Sequence, residues 1–161
     1  MKNKDTEKLF AFAYCDSMTG VYNRNAYEEH LKKLRKSNAN LQNITVVVID
    51  INGLKDINDF FGHHTGDEAI KTVADILKDT IGRKAEVYRI GGDEFVCISE
   101  NNPFPYISQF KDAVSFVNQD KVYKLSVSVG YAAFNSKHNK TIDDLIKYAD
   151  AQMYKDKRKL K

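Results

Sequence analysis

The stretch Ile44 to Ile51, "ITVVVIDI", is the strongest constraint on how this chain can fold. Every residue in it except Asp50 is β-branched, and polar residues do not alternate with apolar ones. Such a run fits a central strand buried on both faces, so other layers must pack on each side of it. With 161 residues, 42% of them hydrophobic, the chain has the size of one domain and enough apolar material for a core.

The flanking segments supply candidate layers. Residues 1–14 read as a linker helix ahead of a domain spanning 15–161. Asn23 can cap a helix with Tyr27, Leu31 and Leu34 on its apolar face, ending near Lys36 and followed by a polar stretch to Asn43. Thr65-Gly66-Asp67-Glu68 has capping-box spacing and opens a helix carrying Ile70, Val73, Ala74, Leu77 and Ile81. A hairpin is expected from Glu86 to Ser99, with Gly91-Gly92 at or near a two-residue turn that requires positive φ. Pro103 and Pro105 introduce a helix from about Tyr106 to Asn118, and Leu125, Val127, Val129 and Tyr131 alternate as in a strand. Thr141-Ile142-Asp143-Asp144 is a second capping box, opening a helix with Leu145, Ile146, Ala149 and Met153 inward. This order predicts an α/β or α+β fold, a mixed, largely antiparallel sheet flanked by helices.

Composition excludes several classes. A net charge of +3 is too small to argue for nucleic acid. The basic run of Lys155, Lys157, Arg158, Lys159 and Lys161 reads either as a solvated tail or as an anion site. Cys15 and Cys97 fit no metal-ligand spacing and are expected as reduced thiols. No apolar stretch reaches the roughly 18 residues of a membrane helix, so a cytoplasmic domain without a membrane segment is expected.

Two constellations can carry chemistry. In "YRIGGDEFVC", Tyr88 to Cys97, the adjacent carboxylates of Asp93 and Glu94 lie at a hairpin tip, where like charges repel. They make either a polar turn or a cation site. If the hairpin lies beside the central strand, Asp50 at that strand's end converges on them, and hard oxygen ligands of this kind suit Mg²⁺. In "KDINDFFGHHTGD", Lys55 to Asp67, Asn58 and Asp67 flank a turn at Gly62. Asp67 is either an acid favoured by the helix dipole or an acceptor for the N1–H and N2–H of guanine, which would repel adenine's N1. His30, His64 and His138 show no ligand spacing and are expected at the surface; Phe60, Phe61 and Tyr88 are expected to cover the sheet, and Cys97 to pack in the hairpin core.

Four segments together resemble the GGDEF family of diguanylate cyclases: "DSMTGVYNR" (Asp16 to Arg24, with Met18 where leucine is usual), "DINGLKDINDFFGHHTGD" (Asp50 to Asp67), "RIGGDEF" (Arg89 to Phe95) and "YADAQMYKDK" (Tyr148 to Lys157). The resemblance implies a nucleotidyl-cyclase-like fold whose hairpin carries the signature. It implies that Asp50, the backbone carbonyl of Ile51, Asp93 and Glu94 hold Mg²⁺, with Mn²⁺ as the alternative. Asp93 is implied as proton acceptor, with Glu94 completing the acidic site. Asn58, His63, Asp67, Gly91 and Gly92 are implied to bind GTP, with Lys55, Lys157 and Lys161 facing its triphosphate.

The reaction implied is condensation of two GTP into cyclic di-GMP with loss of pyrophosphate, across a transient homodimer of such domains and with a sensor domain fused elsewhere. Departures from the pattern are Asn52, where many relatives have a second aspartate, and Gly82-Arg83-Lys84-Ala85, where many have an Arg-x-x-Asp product-inhibition site. Arg83 is expected to be a poor substitute if the strand has begun there, because neighbouring strand positions face opposite ways. The alternatives are a degenerate module that binds GTP or a protein without turnover, and a cyclase with mixed-purine products, which Asp67 disfavours.

Overall fold

The structure is a computed structural model and describes residues 4–36, 41–135 and 140–160. Among the described residues ten α-helices and β-strands follow one another: α1 (Lys4–Tyr14), α2 (Arg24–Lys36), β1 (Thr45–Ile51), α3 (Leu54–Phe61), α4 (His63–Asp79), β2 (Glu86–Arg89), β3 (Glu94–Ser99), α5 (Phe104–Phe116), β4 (Val127–Ala133) and α6 (Ile142–Arg158). The four strands form one sheet in the order β2-β3-β1-β4, and every pairing between them is antiparallel. A parallel element is confined to the isolated bridge between Tyr22 and Tyr88.

β1 is central and buried along its whole length, which is why it tolerates no polar alternation. Val47, Ile49 and Ile51 point into a core completed by Ile57 of α3, Val73 and Leu77 of α4, Phe110 of α5, and Phe95 and Cys97 of β3. Val46 and Val48 point into a second core with Tyr27 and Leu31 of α2 and Leu145, Ala149 and Met153 of α6. Burial raises the Cys97 thiol far above its ordinary pKa, so it packs as an apolar side chain.

Local signals set most of the ends. The Asn23 side chain accepts from the Ala26 N–H at 3.0 Å at the start of α2. Thr141 and Asp144 form the expected reciprocal capping box at the start of α6. α6 lies so close to β4 that a Cβ on Gly130 would stand 2.1 Å from both the Ala149 carbonyl oxygen and the Met153 nitrogen.

Two local expectations are corrected. Thr65 does not open α4: the helix starts at His63, and the Thr65 hydroxyl donates to the Phe61 carbonyl at 2.8 Å. The break lies at Gly62, whose φ of +87° ends α3 and begins α4 directly. Nor is the hairpin turn a positive-φ pair. Ile90 N–H donates to the Glu94 carbonyl, leaving Gly91, Gly92 and Asp93 as the tip, and the glycines with positive φ are Gly20, Gly53 and Gly62.

Candidate active site

The antiparallel register of β1 and β3 sets Asp50 directly opposite Glu94, and the Ile51 N–H donates to the Asp93 carbonyl at 2.9 Å. The end of the central strand and the hairpin tip are therefore stitched together, and three carboxylates share one rim of the sheet. Asp50 is only 5% exposed, whereas Asp93 and Glu94 are half-buried.

Burial raises the pKa of Asp50 above the usual carboxylate range; Lys157 opposes this, and the charges of Asp93 and Asp150 reinforce it. Glu94 is raised too, by burial first and then by Asp93, Asp50 and Asp150. The site thus concentrates more negative charge than its lysine neutralises. Lys157 Nζ donates to Asp50 Oδ1 at 2.7 Å, and that contact raises the lysine's own pKa. Among the described residues no three His, Cys, Asp or Glu side chains are grouped as a metal cage, and Asp50 pairs with Lys157. The donor set still fits a hard divalent cation, because oxygen ligands with unneutralised charge are what such an ion prefers.

The signature tip is held from outside the site. Arg89 Nη2 donates to the Gly92 carbonyl at 2.9 Å, while Nη1 donates to Asp16 Oδ1 at 3.1 Å. Asp16 is raised by burial, but the Thr19 hydroxyl and Arg89 outweigh this and hold it below the usual range. Arg24 adds a contact to the Ile90 carbonyl at 3.3 Å. A Cβ on Gly91 would come within 2.9 Å of Glu94 Oε2, so glycine leaves room there for the carboxylate; Gly92 is exposed and meets nothing.

Asn58 and Asp67 come together through the α3–α4 corner. A Cβ on Gly66 would stand 1.8 Å from Asn58 Oδ1, so the Asn58 amide lies over the glycine that precedes Asp67. Asp67 is the fifth residue of α4 and lies outside its first turn, which weakens the dipole account of it. His63 is exposed on the same corner, Lys55 is exposed at the opposite end of α3, and Lys161 and His138 lie outside the described residues. Asn52 keeps its amide within 2.7 Å of the buried Ser128 hydroxyl, tying β1's end to β4.

Other expectations need correction. Phe60 does not cover the sheet: it is 81% exposed, and Phe61 is also exposed, with its ring 5.9 Å from Tyr123. A helix as short as α3 can turn only one stripe inward, and Ile57 takes it. His30 is half-buried rather than a free surface side chain. Its Nδ1 lies 2.6 Å from the Tyr88 hydroxyl, below α2. Arg83 sits in a 3-10 turn, Ile81–Arg83, ahead of β2, so strand alternation does not bear on it. Asp150 and the Arg89–Asp16 pair were not singled out from sequence, although each lies within a segment that carried the resemblance.

The family described as "Diguanylate cyclase, GGDEF domain" matches residues 13–161. The chain belongs to the GGDEF family. It is 35% identical over 159 residues to a probable diguanylate cyclase, DgcI, of Escherichia coli, covering 96% of this chain and 34% of that protein. It is 28% identical over 148 residues to an uncharacterised membrane protein of Staphylococcus saprophyticus, covering 86% of this chain and 42% of that protein. The chain therefore spans well under half the length of these curated relatives.

Among solved structures, the coiled coil and GGDEF domain of DgcB from Caulobacter crescentus, in complex with c-di-GMP, superposes with a TM-score of 0.79 at 24% identity, covering 96% of this chain and 86% of that one. The FimX GGDEF domain from Pseudomonas aeruginosa gives 0.77 at 18% identity, covering 91% and 94%. These likenesses establish the nucleotidyl-cyclase-like α+β fold of this GGDEF domain. No helix among the described residues is long and apolar enough to cross a membrane.

Proposed function

We propose that this GGDEF domain is an active diguanylate cyclase that condenses two GTP into cyclic di-GMP and two pyrophosphates. The observation that supports this most is the Asp50–Glu94 pairing, with Asp93 bonded through its carbonyl to Ile51. An acidic rim of this kind is costly unless a cation shares it. Asp50, the Ile51 carbonyl, Asp93 and Glu94 would hold Mg²⁺ or Mn²⁺. When bound there, the metal would lower the pKa of the attacking hydroxyl and offset charge on the attacking and leaving oxygens.

The chain's own groups supply the rest. Asp67 would accept from guanine N1–H and N2–H, with Asn58 beside it over Gly66. His63 would line the substrate site, Lys55, Lys157 and Lys161 would face the triphosphate, and Lys157 would exchange Asp50 for phosphate oxygens when GTP enters. In each half-reaction the ribose 3′-hydroxyl of one GTP attacks the α-phosphorus of the other; the oxygen–phosphorus bond forms, the bond to pyrophosphate breaks, and Asp93 accepts the hydroxyl proton. One domain would hold one GTP, so two copies must face each other. The exposed helix α1 would act as a linker to further domains of a longer protein, with this domain on the cytoplasmic side.

The Lys157–Asp50 ion pair favours a second reading, a module that binds GTP without turnover, because it already neutralises part of the site. Incubation with GTP, ATP and Mg²⁺, followed by identification of products, separates the readings. Cyclic di-GMP alone is the expected product. Unchanged GTP would support the binding module, and mixed products would mean that Asp67 does not select the base.

A further inference from the structure

Away from the acidic rim, a cleft of about 410 Å³ opens between α1, α2 and β2. Phe10 and Tyr14 of α1 form one wall, with their rings 5.1 Å apart, and Tyr22 and Tyr88 form another, with rings 5.6 Å apart. Its polar groups form a small network. The Tyr88 hydroxyl donates to Glu86 Oε2 at 2.7 Å, and His30 Nδ1 lies 3.0 Å from the same oxygen and 2.6 Å from the hydroxyl. Since the hydroxyl proton goes to Glu86, His30 Nδ1 must carry a proton and act as donor. Glu86 Oε2 is thereby fixed, while Oε1 has no hydrogen-bond partner among the described residues.

We propose that this cleft binds a small, flat aromatic cation, its charge beside Glu86 and its ring against Tyr14 and Tyr22. Its volume falls in the range of small-molecule pockets, and aromatic walls with a few placed polar groups are their usual lining. The negative faces of four rings attract a cation, and a half-exposed carboxylate already oriented by two donors can pair with it without first losing freedom of its own. Of the other charged groups at the cleft, Glu29 pairs with Lys32 at 2.6 Å, and the exposed Lys33 also lines it, so a cationic ligand is directed to the Glu86 end. Glu86 begins β2, at the opposite end from the Gly91–Asp93 tip, so this site is distinct from the nucleotide site.

Benzamidine, with neutral benzamide and anionic benzoate of similar shape, tests the proposal on the full 161-residue chain by two-dimensional NMR. Benzamidine is expected to shift the ring resonances of Tyr14, Tyr22 and Tyr88 saturably, with benzamide about tenfold weaker and benzoate weaker still. Glu86→Gln should weaken benzamidine about tenfold and Phe10→Ala severalfold, while Phe12→Ala, outside the cleft, should change nothing. Phe10 lies on an exposed helix face, so that variant answers the question even if Glu86→Gln disturbs β2. The proposal is overturned if benzamidine gives no saturable shift at those rings, if benzoate binds as tightly, or if Phe10→Ala leaves affinity unchanged.

Discussion

Lys157 Nζ lies 2.7 Å from Asp50 Oδ1, a contact between residues 107 positions apart that ties α6 to the buried end of β1. It sets the balance at the acidic rim, because the remaining neighbours that act on Asp50 are the like charges of Asp93 and Asp150. The lysine is 40% exposed along its side chain, so solvent screens the pair, and its worth lies well below that of a fully buried one.

Removing that lysine should make metal the principal counter-charge. Lys157→Met is expected to lower the stability of the metal-free protein by about 1–2 kcal/mol. It should also enlarge the rise in melting temperature on adding Mn²⁺ or Mg²⁺ without nucleotide. A metal-induced rise equal to wild type would show that the lysine and the metal do not compete for Asp50.

The rim also predicts a direction with pH. Asp50 and Glu94 both have folded pKa values raised above their ordinary values of 3.8 and 4.5. Between those values and the raised ones the folded state binds more protons than the unfolded state, so these two groups make stability fall as pH rises. Asp50→Asn together with Glu94→Gln should flatten that slope in denaturant titrations of the metal-free protein. Asp16 is lowered and acts oppositely: its stabilisation is present above pH 3.8 and is lost as pH falls through its folded value.

Arg89 should matter through position. It joins Asp16 to the Gly92 carbonyl, and its side chain is 12% exposed. Arg89→Met should cost about 2 kcal/mol of stability, the scale of a lost charge-assisted hydrogen bond. Turnover should fall more than GTP affinity, because the tip carrying Asp93 loosens. Arg89→Lys should restore stability only in part, since an ammonium lacks the fork that reaches both partners. Full restoration by lysine would place the effect in charge alone.

Two glycines give sharp steric tests. Gly66→Ala drives a Cβ into Asn58 and should weaken GTP binding while leaving the sheet intact, as measured by calorimetry and circular dichroism. Gly130→Ala meets the backbone of α6, which cannot swing aside, and should destabilise by about 3 kcal/mol in chemical denaturation.

Product feedback should be weak. Gly82 and Ala85 stand where an inhibitory site would need a guanidinium and a carboxylate, and Arg83 lies in the preceding 3-10 turn. Micromolar cyclic di-GMP is expected to leave the initial rate nearly unchanged. Strong non-competitive inhibition would assign the role to another surface.

Sequence alone determined the features that depend on neighbours along the chain. The β-branched run of β1 required burial on both faces, and the spacing of Thr141 and Asp144 placed the start of α6. The alternation around Gly91-Gly92 yielded the hairpin, and the meeting of Asp50 with Glu94 followed as a condition on strand order. Tertiary structure decided what depends on distance and crowding. α3 was invisible as a helix because it is eight residues long and bounded by two positive-φ glycines, Gly53 and Gly62. The start of α4 followed from that corner, whatever Thr65 could have capped. Gly91 is needed for the space beside Glu94 and needs no positive φ. Lys157 on Asp50, Arg89 on Asp16 and His30 on Tyr88 pair residues 58 or more positions apart. No local propensity encodes such contacts; they exist because α2, α6 and the hairpin pack on a common sheet.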